Sequence, residues 1–228
     1  MAVIRLARPG DGPAVEALAK VALGADAATP VGPGAFAAAI DRHGGRLSLP
    51  HGTGCALVAE AAESTPIGLT YTCAPVRLIE HYAELGRHGQ RRLAGVLTEL
   101  ELLTVAEHAR GAGVGTALLA AMEARLRSGG CRLVLAKVGA GDRLVLRWYR
   151  RRGYLPAVPG EPVTIDVDGA MIAFDDGGDG YRLAVKSLDP TQQVHRGSTR
   201  TGTYLAVTPA RPSATPPWSV LPRGRPRR

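Results

Sequence analysis

A glycine-rich loop contains the residue types best suited to binding a phosphate group. It reads Arg-Gly-Ala-Gly-Val-Gly-Thr over 110–116 and separates an apolar run at 100–105 from a helical pattern at 117–126. Glycines let consecutive backbone N–H groups approach an anion, and the start of a helix adds partial positive charge there. A P-loop would need a Gly-Lys-Ser/Thr triplet, and a dinucleotide fingerprint would need glycine in place of Thr116. The loop therefore predicts a phosphate site of another kind.

The loop and the residues on both sides of it resemble the GNAT superfamily of N-acetyltransferases. Arg110, Gly113 and Gly115 match the family motif Arg/Gln-x-x-Gly-x-Gly/Ala, which holds the pyrophosphate of acetyl-coenzyme A (acetyl-CoA). Upstream, 99–110 resembles the run Glu-Leu-x-x-Leu-x-Val-x-Pro-x-x-Arg, with alanine at the proline position. Downstream, 142–154 resembles Asn-x-x-Ala-x-x-Leu-Tyr-x-x-x-Gly-Phe, beginning with aspartate and ending with tyrosine. The three blocks follow the order that the family has.

The resemblance implies an acetyl-CoA site made largely of backbone groups. The loop would hold the pyrophosphate, and the preceding strand would part from its neighbour and present main-chain groups to the pantetheine and the thioester. These cofactor-binding residues are Leu103, Thr104, Val105, Arg110, Gly111, Ala112, Gly113, Val114, Gly115 and Thr116. Asp142 stands where the family has an asparagine that contacts the cofactor, and it either keeps that contact or caps the following helix. No metal ion is expected.

The same resemblance implies catalytic residues for the transfer of an acetyl group to an amine. An ammonium group with a pKa of about 10 needs a base near neutral pH. Glu99 occupies the acidic position of the family, and Glu101 is the second candidate base. Tyr149 is the candidate acid that protonates the departing thiolate. Structural interpretations stay open, because the carboxylates could be solvated strand residues, a water relay could replace them, and Tyr149 could pack beside Trp148.

The elements that would position these residues indicate an α/β fold. Apolar runs at 96–105 and 131–138 predict strands, and the patterns at 115–128 and 143–152 predict the helices that follow them. This alternation predicts parallel pairing of the two strands, whereas hairpin signals, such as the Asp-Gly pair at 168–169, predict antiparallel pairing elsewhere. The expected fold is a mixed, mostly antiparallel central sheet flanked by helices and containing parallel central strands. The resemblance to the GNAT superfamily implies that these parallel strands splay around acetyl-CoA.

Residues 75–94 are predicted to be an insertion in this pattern. Leu78, Tyr82 and Leu85 predict one amphipathic helix, and a basic run at 87–92 follows it. The segment is either a surface crossover or a wall of the acceptor site, since the family varies in this region between substrate classes.

The basic character of the chain belongs to its C-terminal end. The net charge is +8, but seven arginines and no acidic residue lie beyond residue 190, while the other 21 basic residues face all 20 acidic ones. Prolines and Ser/Thr residues in the same stretch predict disorder over 189–228, which leaves 1–188 as the GNAT-like domain. Truncation after residue 188 is then expected to preserve the fold. The arginines could also contact nucleic acid weakly.

Composition narrows the remaining classes of protein. Three widely spaced cysteines argue against a disulfide framework or a zinc cluster, and no apolar run is long enough for a membrane helix. A cytoplasmic monomer or homodimer is expected. The sequence is interpreted as an N-acetyltransferase that moves an acetyl group from acetyl-CoA to a primary amine of a small molecule or protein, by direct attack in a ternary complex. The alternative is a non-catalytic acyl-CoA-binding or regulatory module, associated with nucleic acid through its basic tail.

Overall fold

The computed structural model describes residues 2–23, 33–61, 64–178 and 180–210. Within these ranges the chain forms strands, six α-helices and two short 3₁₀ turns. The strands and α-helices, in chain order, are β1 (Val3–Leu6), α1 (Gly12–Leu23), α2 (Pro33–His43), β2 (Arg46–Leu49), β3 (Gly52–Glu60), β4 (Pro66–Cys73), α3 (Val76–His81), α4 (Gly86–Val96), β5 (Leu97–Val105), α5 (Val114–Ser128), β6 (Leu133–Gly139), α6 (Arg143–Arg150), β7 (Leu155–Pro156), β8 (Val163–Val167), β9 (Ala170–Phe174), β10 (Tyr181–Ser187), β11 (Gln192–Ser198) and β12 (Thr203–Pro209).

An eight-stranded sheet forms the centre of the molecule. Its strand order is β1-β3-β4-β5-β6-β10-β7, and β2 pairs with β3 as well. The β5–β6 pair is parallel, and the other neighbouring pairs in this sheet are antiparallel. The predicted fold class, a mostly antiparallel mixed sheet with a parallel pair at its centre, is therefore confirmed.

Helices cover both faces of this sheet. Alternate residues of β3 show the two faces, since Ala56 and Val58 pack with α1 and α2, whereas Leu57 and Ala59 pack with α5 and α6. Helix α5 lies especially close to the sheet at Gly68, where an added Cβ atom would be 2.9 Å from a side-chain carbon of α5. The glycine in β4 thus fixes the depth at which α5, and the loop before it, sit on the sheet.

The insertion between β4 and β5 forms two helices, α3 and α4, rather than the single helix that the sequence predicted. Gly86 has a φ of +63°, a conformation that suits glycine, and the chain turns there into the basic helix α4. Ile79 of α3 and Leu93 of α4 are fully buried. The hydroxyl of Tyr82 donates to the carbonyl of Ala173 in β9 and accepts from its N–H. The insertion is therefore part of the packed structure, in contact with a second sheet.

The second sheet has four strands in the order β11-β12-β8-β9. Strands β8 and β9 form the hairpin predicted at 168–169, where Asp168 and Gly169 have φ values of +56° and +86°, as a type I′ turn requires. Strand β12 lies parallel to β8. Apolar side chains of this sheet, including Ile165 and Leu205, are buried in the same hydrophobic cluster as Leu135 of β6. The second sheet therefore packs on the central sheet.

The predicted disorder of residues 189–228 is wrong for the part of this segment that the structure describes. Strands β11 and β12 occupy most of 189–210, and Leu205 is fully buried. Arg196, which the sequence analysis counted among the tail arginines, forms an ion pair with buried Glu161 at 2.6 Å and also donates to the carbonyl of Pro156. The composition of this segment did not predict the strands. The charge of Arg196 is balanced by Glu161, a residue that is distant in the sequence. Residues 211–228 lie outside the described residues.

Candidate active site

Strands β5 and β6 diverge in the middle of the central sheet. Their parallel pairing ends at Leu100 and Ala136, although β5 continues to Val105 and β6 to Gly139. Peptide groups at 103–105 that point toward β6 have no strand partner there. The splayed pair expected from the resemblance is thus present in the fold.

A β-bulge at Glu101 accounts for the divergence. On the other edge of β5, Leu102 faces Tyr71 of β4 and Leu100 faces Thr72, so Glu101 is an extra residue without a partner. An extra residue bends a strand and increases its local twist. Here the bend carries the end of β5 away from β6.

A cavity of about 700 Å³ opens where the end of β5, the glycine loop and α6 meet. Its lining includes nearly all of the residues that the sequence analysis assigned to acetyl-CoA, namely Leu103, Thr104, Val105, Arg110, Gly111, Gly113, Val114, Gly115, Thr116 and Asp142. Ala112 lies in the loop but does not line the cavity. Tyr149 lines the same cavity, whereas Glu99 and Glu101 do not.

The glycine loop has a backbone that few other residues could adopt. Gly111 and Gly113 have φ values of +80° and +82°, in the left-handed region that favours glycine. An added Cβ atom at either position would meet no atom of the described residues within 4 Å, so there is room for a ligand beside the backbone. Gly113 precedes the fifteen-residue helix α5 and no side chain caps that end. The first N–H groups of α5 therefore remain available to an anion.

Two arginines add positive charge to the cavity. Arg110 donates from Nε to the carbonyl of Val105 at 3.2 Å, which ties the loop to the end of β5. Arg152 donates to the hydroxyl of Thr116, and its guanidinium carbon lies 3.7 Å from the centroid of the Trp148 ring. Burial, and then the charge of a neighbouring arginine, lower the pKa of Arg152, but a guanidinium remains protonated.

Sequence reasoning missed Arg152. A usable signal was its spacing, because a residue four positions after Trp148 meets that side chain on a helical surface. Among the described residues that line the cavity there are two cations, Arg110 and Arg152, and one carboxylate, Asp142.

Tyr149 is a buried phenol that faces the cavity. Only 5% of the residue is exposed, and its ring lies 5.0 Å, centroid to centroid, from both Trp148 and Tyr154 in edge-on arrangements. Burial raises the pKa of Tyr149 above its ordinary value, with the charge of Arg152 opposing the effect. Within the described residues its hydroxyl has no hydrogen-bond partner. Tyr149 thus packs in the core, as one interpretation held, and also lines the cavity.

Asp142 caps helix α6. Its Oδ1 atom accepts a hydrogen bond from the N–H of Val145 at 2.9 Å. This is the capping geometry that stabilises a helix start. The carboxylate lines the cavity while already engaged by the helix, and capping is the structural role that the geometry shows.

The two candidate bases lie on the face of the sheet opposite α5. Glu99 is opposite Leu135 in the β5–β6 pair, and residues directly opposite one another share a face. Leu135 packs in the cluster formed with the insertion and the second sheet, not in the cluster that contains α5. The gap between β5 and β6 therefore separates the acid candidate, Tyr149, from the base candidates.

An ion pair holds Glu99 in place. Its Oε1 atom lies 2.6 Å from Nζ of Lys137 on β6, and the glutamate is 8% exposed. Burial opposes the charge of the lysine, but the attraction and hydrogen bond of Glu99 outweigh that effect and raise the pKa of Lys137. Sequence reasoning missed Lys137 as well. Its signal was a single charged residue within an otherwise apolar strand pattern, since buried charges normally have partners.

Glu101 has the more unusual electrostatic environment of the two carboxylates. It keeps contact with solvent, but the surrounding protein reduces its hydration, and the negative charge of Glu99 acts in the same direction, which raises the pKa of Glu101 to about 7. Lys137 and Arg77 partly oppose this rise. A carboxyl group with such a pKa can both accept and release a proton near neutral pH.

Two other features, a metal-binding site and a membrane-spanning helix, are absent from the described residues. Those residues contain no group of three or more His, Cys, Asp or Glu side chains arranged to hold a metal ion. Among the helices in the described ranges, none combines the length and the apolar character needed to cross a membrane.

Comparisons with known proteins agree with the fold. The model of the Acetyltransferase (GNAT) family matches residues 53–154, which include the diverging strands, the glycine loop and α6. No curated protein shows a significant match. An acetyltransferase of the GNAT family from Staphylococcus aureus Mu50 is similar with a TM-score of 0.53 at 10% identity, covering 83% of this chain and 100% of that one.

Two further solved structures have the same fold. Ard1 from Thermoplasma volcanium is similar with a TM-score of 0.51 at 14% identity, covering 82% of this chain and 97% of that one. A GNAT superfamily phosphinothricin acetyltransferase from Sinorhizobium meliloti, solved in complex with acetyl-CoA, is similar with a TM-score of 0.51 at 17% identity, covering 82% of this chain and 88% of that one.

The fold is that of the GNAT acetyltransferases, and the cavity lies within the part of the chain that matches the family model. Residues 53–154 match the model of the GNAT acetyltransferase family, whose members use acetyl-CoA as the acetyl donor.

Proposed function

We propose that this protein transfers the acetyl group of acetyl-CoA to a primary amine, by direct attack in a ternary complex. One observation carries the proposal: the β5–β6 pair opens beside a cavity whose far wall is an uncapped helix start. Such a cavity provides unpaired backbone groups for an extended chain and an anion site for a pyrophosphate.

The residues around the cavity fit this donor. Open space at Gly111 and Gly113 leaves room for phosphate oxygens against the backbone, and Arg110 and Arg152 would balance the phosphate charges. The main chain of 103–105 would bind the pantetheine arm. Acetyl-CoA supplies an activated acetyl thioester, and the protein needs only to orient it and to move protons.

Acid and base act from opposite sides of the gap in this proposal. Tyr149, whose phenol has no hydrogen-bond partner among the described residues, would donate its proton to the departing sulfur. The attacking nitrogen would approach from the other face, where Glu99 and Glu101 lie, and one of these carboxylates would take its proton. The three free cysteines are consistent with a cytoplasmic location.

Calorimetry and a thiol-release assay test the proposal together. We expect acetyl-CoA to bind with one site per chain, and we expect release of free coenzyme A thiol when a suitable amine is added, with an acetylated product in the mass spectrum. Binding without thiol release across a broad amine library would instead support the non-catalytic acyl-CoA-binding module. Absence of binding, with the fold intact, would contradict both functions. Salt-sensitive retention of the full chain on nucleic acid would support the additional role of the basic tail.

A further inference from the structure

Two charged side chains of opposite sign flank the point at which the central strands part. Leu100 and Ala136 are the last paired residues, and Glu101 and Lys137 are the next residue on each strand. Their side chains are close enough for Lys137 to affect the pKa of Glu101. The entrance to the gap on the face away from α5 therefore has a negative and a positive group beside it.

Lys137 keeps hydrogen-bonding capacity after it pairs with Glu99. An ammonium group has three N–H donors, and Glu99 takes one of them at 2.6 Å. About one third of the side chain, 33%, remains exposed to solvent. The described residues provide no second acceptor for this ammonium, so it can bind an additional anion.

The total charge of the cluster limits what it can recognise. Glu99 and Glu101 would attract a polycation if they stood alone. Lys137 and Arg77 bring two positive charges to the same place, and both act on Glu101 or its neighbour. When Glu101 is ionised, the cluster has two negative and two positive groups and no net charge. A ligand with one positive and one negative group side by side matches this arrangement best.

We propose that the acceptor is a small zwitterion of the α-amino-acid class, with its ammonium group at Glu101 and its carboxylate at Lys137. This inference rests on the proposed acetyl transfer. The nitrogen loses two protons as the C–N bond forms and the C–S bond breaks. One proton leaves through Glu101 to solvent, and the other replaces, through solvent, the proton that Tyr149 delivers to sulfur.

Matched acceptors test the role of the carboxylate in the unmodified full-length protein. Thiol release is measured with L-methionine and L-phenylalanine, with the amines that lack their carboxylate, and with their amides. We expect kcat/KM for each amino acid to exceed that of its amine and its amide by about tenfold or more, the effect of one charge-assisted hydrogen bond. The amides have the less basic nitrogen, so basicity cannot produce this preference.

Variants of the cluster test the assignment to Lys137. In Lys137→Gln the ratio of kcat/KM between amino acid and amine should fall toward one, whereas Lys137→Arg should keep part of it. The exposed Lys20→Gln is the matched control and should keep the full ratio. If Lys137→Gln fails to fold because Glu99 is left unpaired, the double variant Glu99→Gln, Lys137→Gln removes both charges and is compared in the same way.

The possible results distinguish failure of the zwitterion inference from failure of the proposed acetyl transfer. Turnover of amines or of peptide N-termini without a preference for amino acids would overturn the zwitterion inference and keep the acetyltransferase function. An unchanged ratio in Lys137→Gln would overturn the assignment too. Failure of acetyl-CoA to bind by calorimetry would overturn the proposed function itself.

Discussion

The glycine loop and the second sheet both adjoin the central sheet, but they differ in whether their polar groups have protein partners. Around the loop, the first helix N–H groups, the edge of β5 that faces β6 and the hydroxyl of Tyr149 have no partner among the described residues. In the second sheet, Leu205 is fully buried and Glu161 is satisfied by Arg196 and by the N–H of Val158. Unpaired groups are what a ligand needs, and paired groups are what stability needs. Substitutions in the two regions should therefore separate function from stability.

Truncation after Asp189 should destabilise the protein more than any single substitution. Removing the chain after Asp189 deletes β11 and β12, exposes the apolar side chains of β8 and leaves the carboxylate of Glu161 without Arg196. We expect loss of the cooperative thermal transition measured by circular dichroism, because a buried charge and a large apolar face lose their partners.

A second truncation is the control for the first. Ending the chain after Ala210 keeps both strands and should retain the transition within a few degrees. Equal melting curves for the two truncations would show that the second sheet does not stabilise the domain.

Arg196→Ala should destabilise the protein by about 3 kcal/mol, because it leaves Glu161 buried and unpaired. The hydrogen bonds and charge of Arg196 outweigh the effect of burial and lower the pKa of Glu161 to about 2. This contribution is present above the ordinary glutamate pKa and is lost as the pH falls toward 2. The difference in unfolding free energy between wild type and variant should thus shrink below pH 4. Exposed Arg200→Ala is the control, and acetyl-CoA affinity should be the same in all three proteins.

Tyr149→Phe should show the reverse pattern. Turnover at saturating substrates should fall about 10²-fold, the contribution expected of one general acid, while acetyl-CoA affinity and melting temperature change little. Tyr154→Phe, another buried tyrosine in the same ring cluster, is the matched control and does not line the cavity. Equal turnover for wild type and Tyr149→Phe would leave Tyr149 with a packing role alone.

Gly113→Asp should weaken acetyl-CoA binding by about 2 kcal/mol, because it places a negative charge beside the pyrophosphate and strains the left-handed backbone. Gly130→Asp tests the effect of backbone strain by itself. Gly130 lies at the other end of α5 with a φ of +84°, and no atom of the described residues is within 4 Å of an added Cβ. Calorimetry should show normal binding for Gly130→Asp. Similar losses for both variants would mean that strain, not the anion site, causes the effect.

Glu101→Gln should lower kcat/KM by a modest factor and change its pH dependence. The titratable and charged groups that act on or contact Glu101 are Glu99, Lys137, Cys73, Tyr71 and Arg77. With the pKa of Glu101 raised to about 7, kcat/KM should rise between pH 6 and pH 8 as the carboxyl group loses its proton. The variant should lose this rise and be about tenfold slower at pH 8. A pH profile that is identical in Glu101→Gln and wild type would exclude Glu101 as the base.

The sequence predicted the fold class and the surroundings of the cavity because both depend on local signals. The glycine loop needs particular φ values at Gly111 and Gly113, and the strands and helices on either side have clear apolar periods. Gly-rich turns and periodic runs are legible without knowledge of the rest of the chain. The same reasoning found the hairpin at 168–169.

The features that the sequence did not predict depend on contacts between residues far apart in the chain. Arg196 resembles a tail residue until its partner, 35 positions away, is known. The bulge at Glu101 depends on the register between β4 and β5, which no local pattern specifies. Lys137 and Arg152 contact Glu99 and Thr116, which lie on other elements of the fold.

The bulge also makes the site sensitive to chain length rather than to residue type. Glu101 is one residue in excess of what β4 can pair, so loss of a single residue from β5 would restore a regular ladder. A straight β5 could continue its pairing with β6 and use up the backbone groups at 103–105. Substitutions at this position can change the chemistry of the site, whereas a one-residue deletion would remove the opening itself. The length of one strand is in this sense under the same constraint as its side chains.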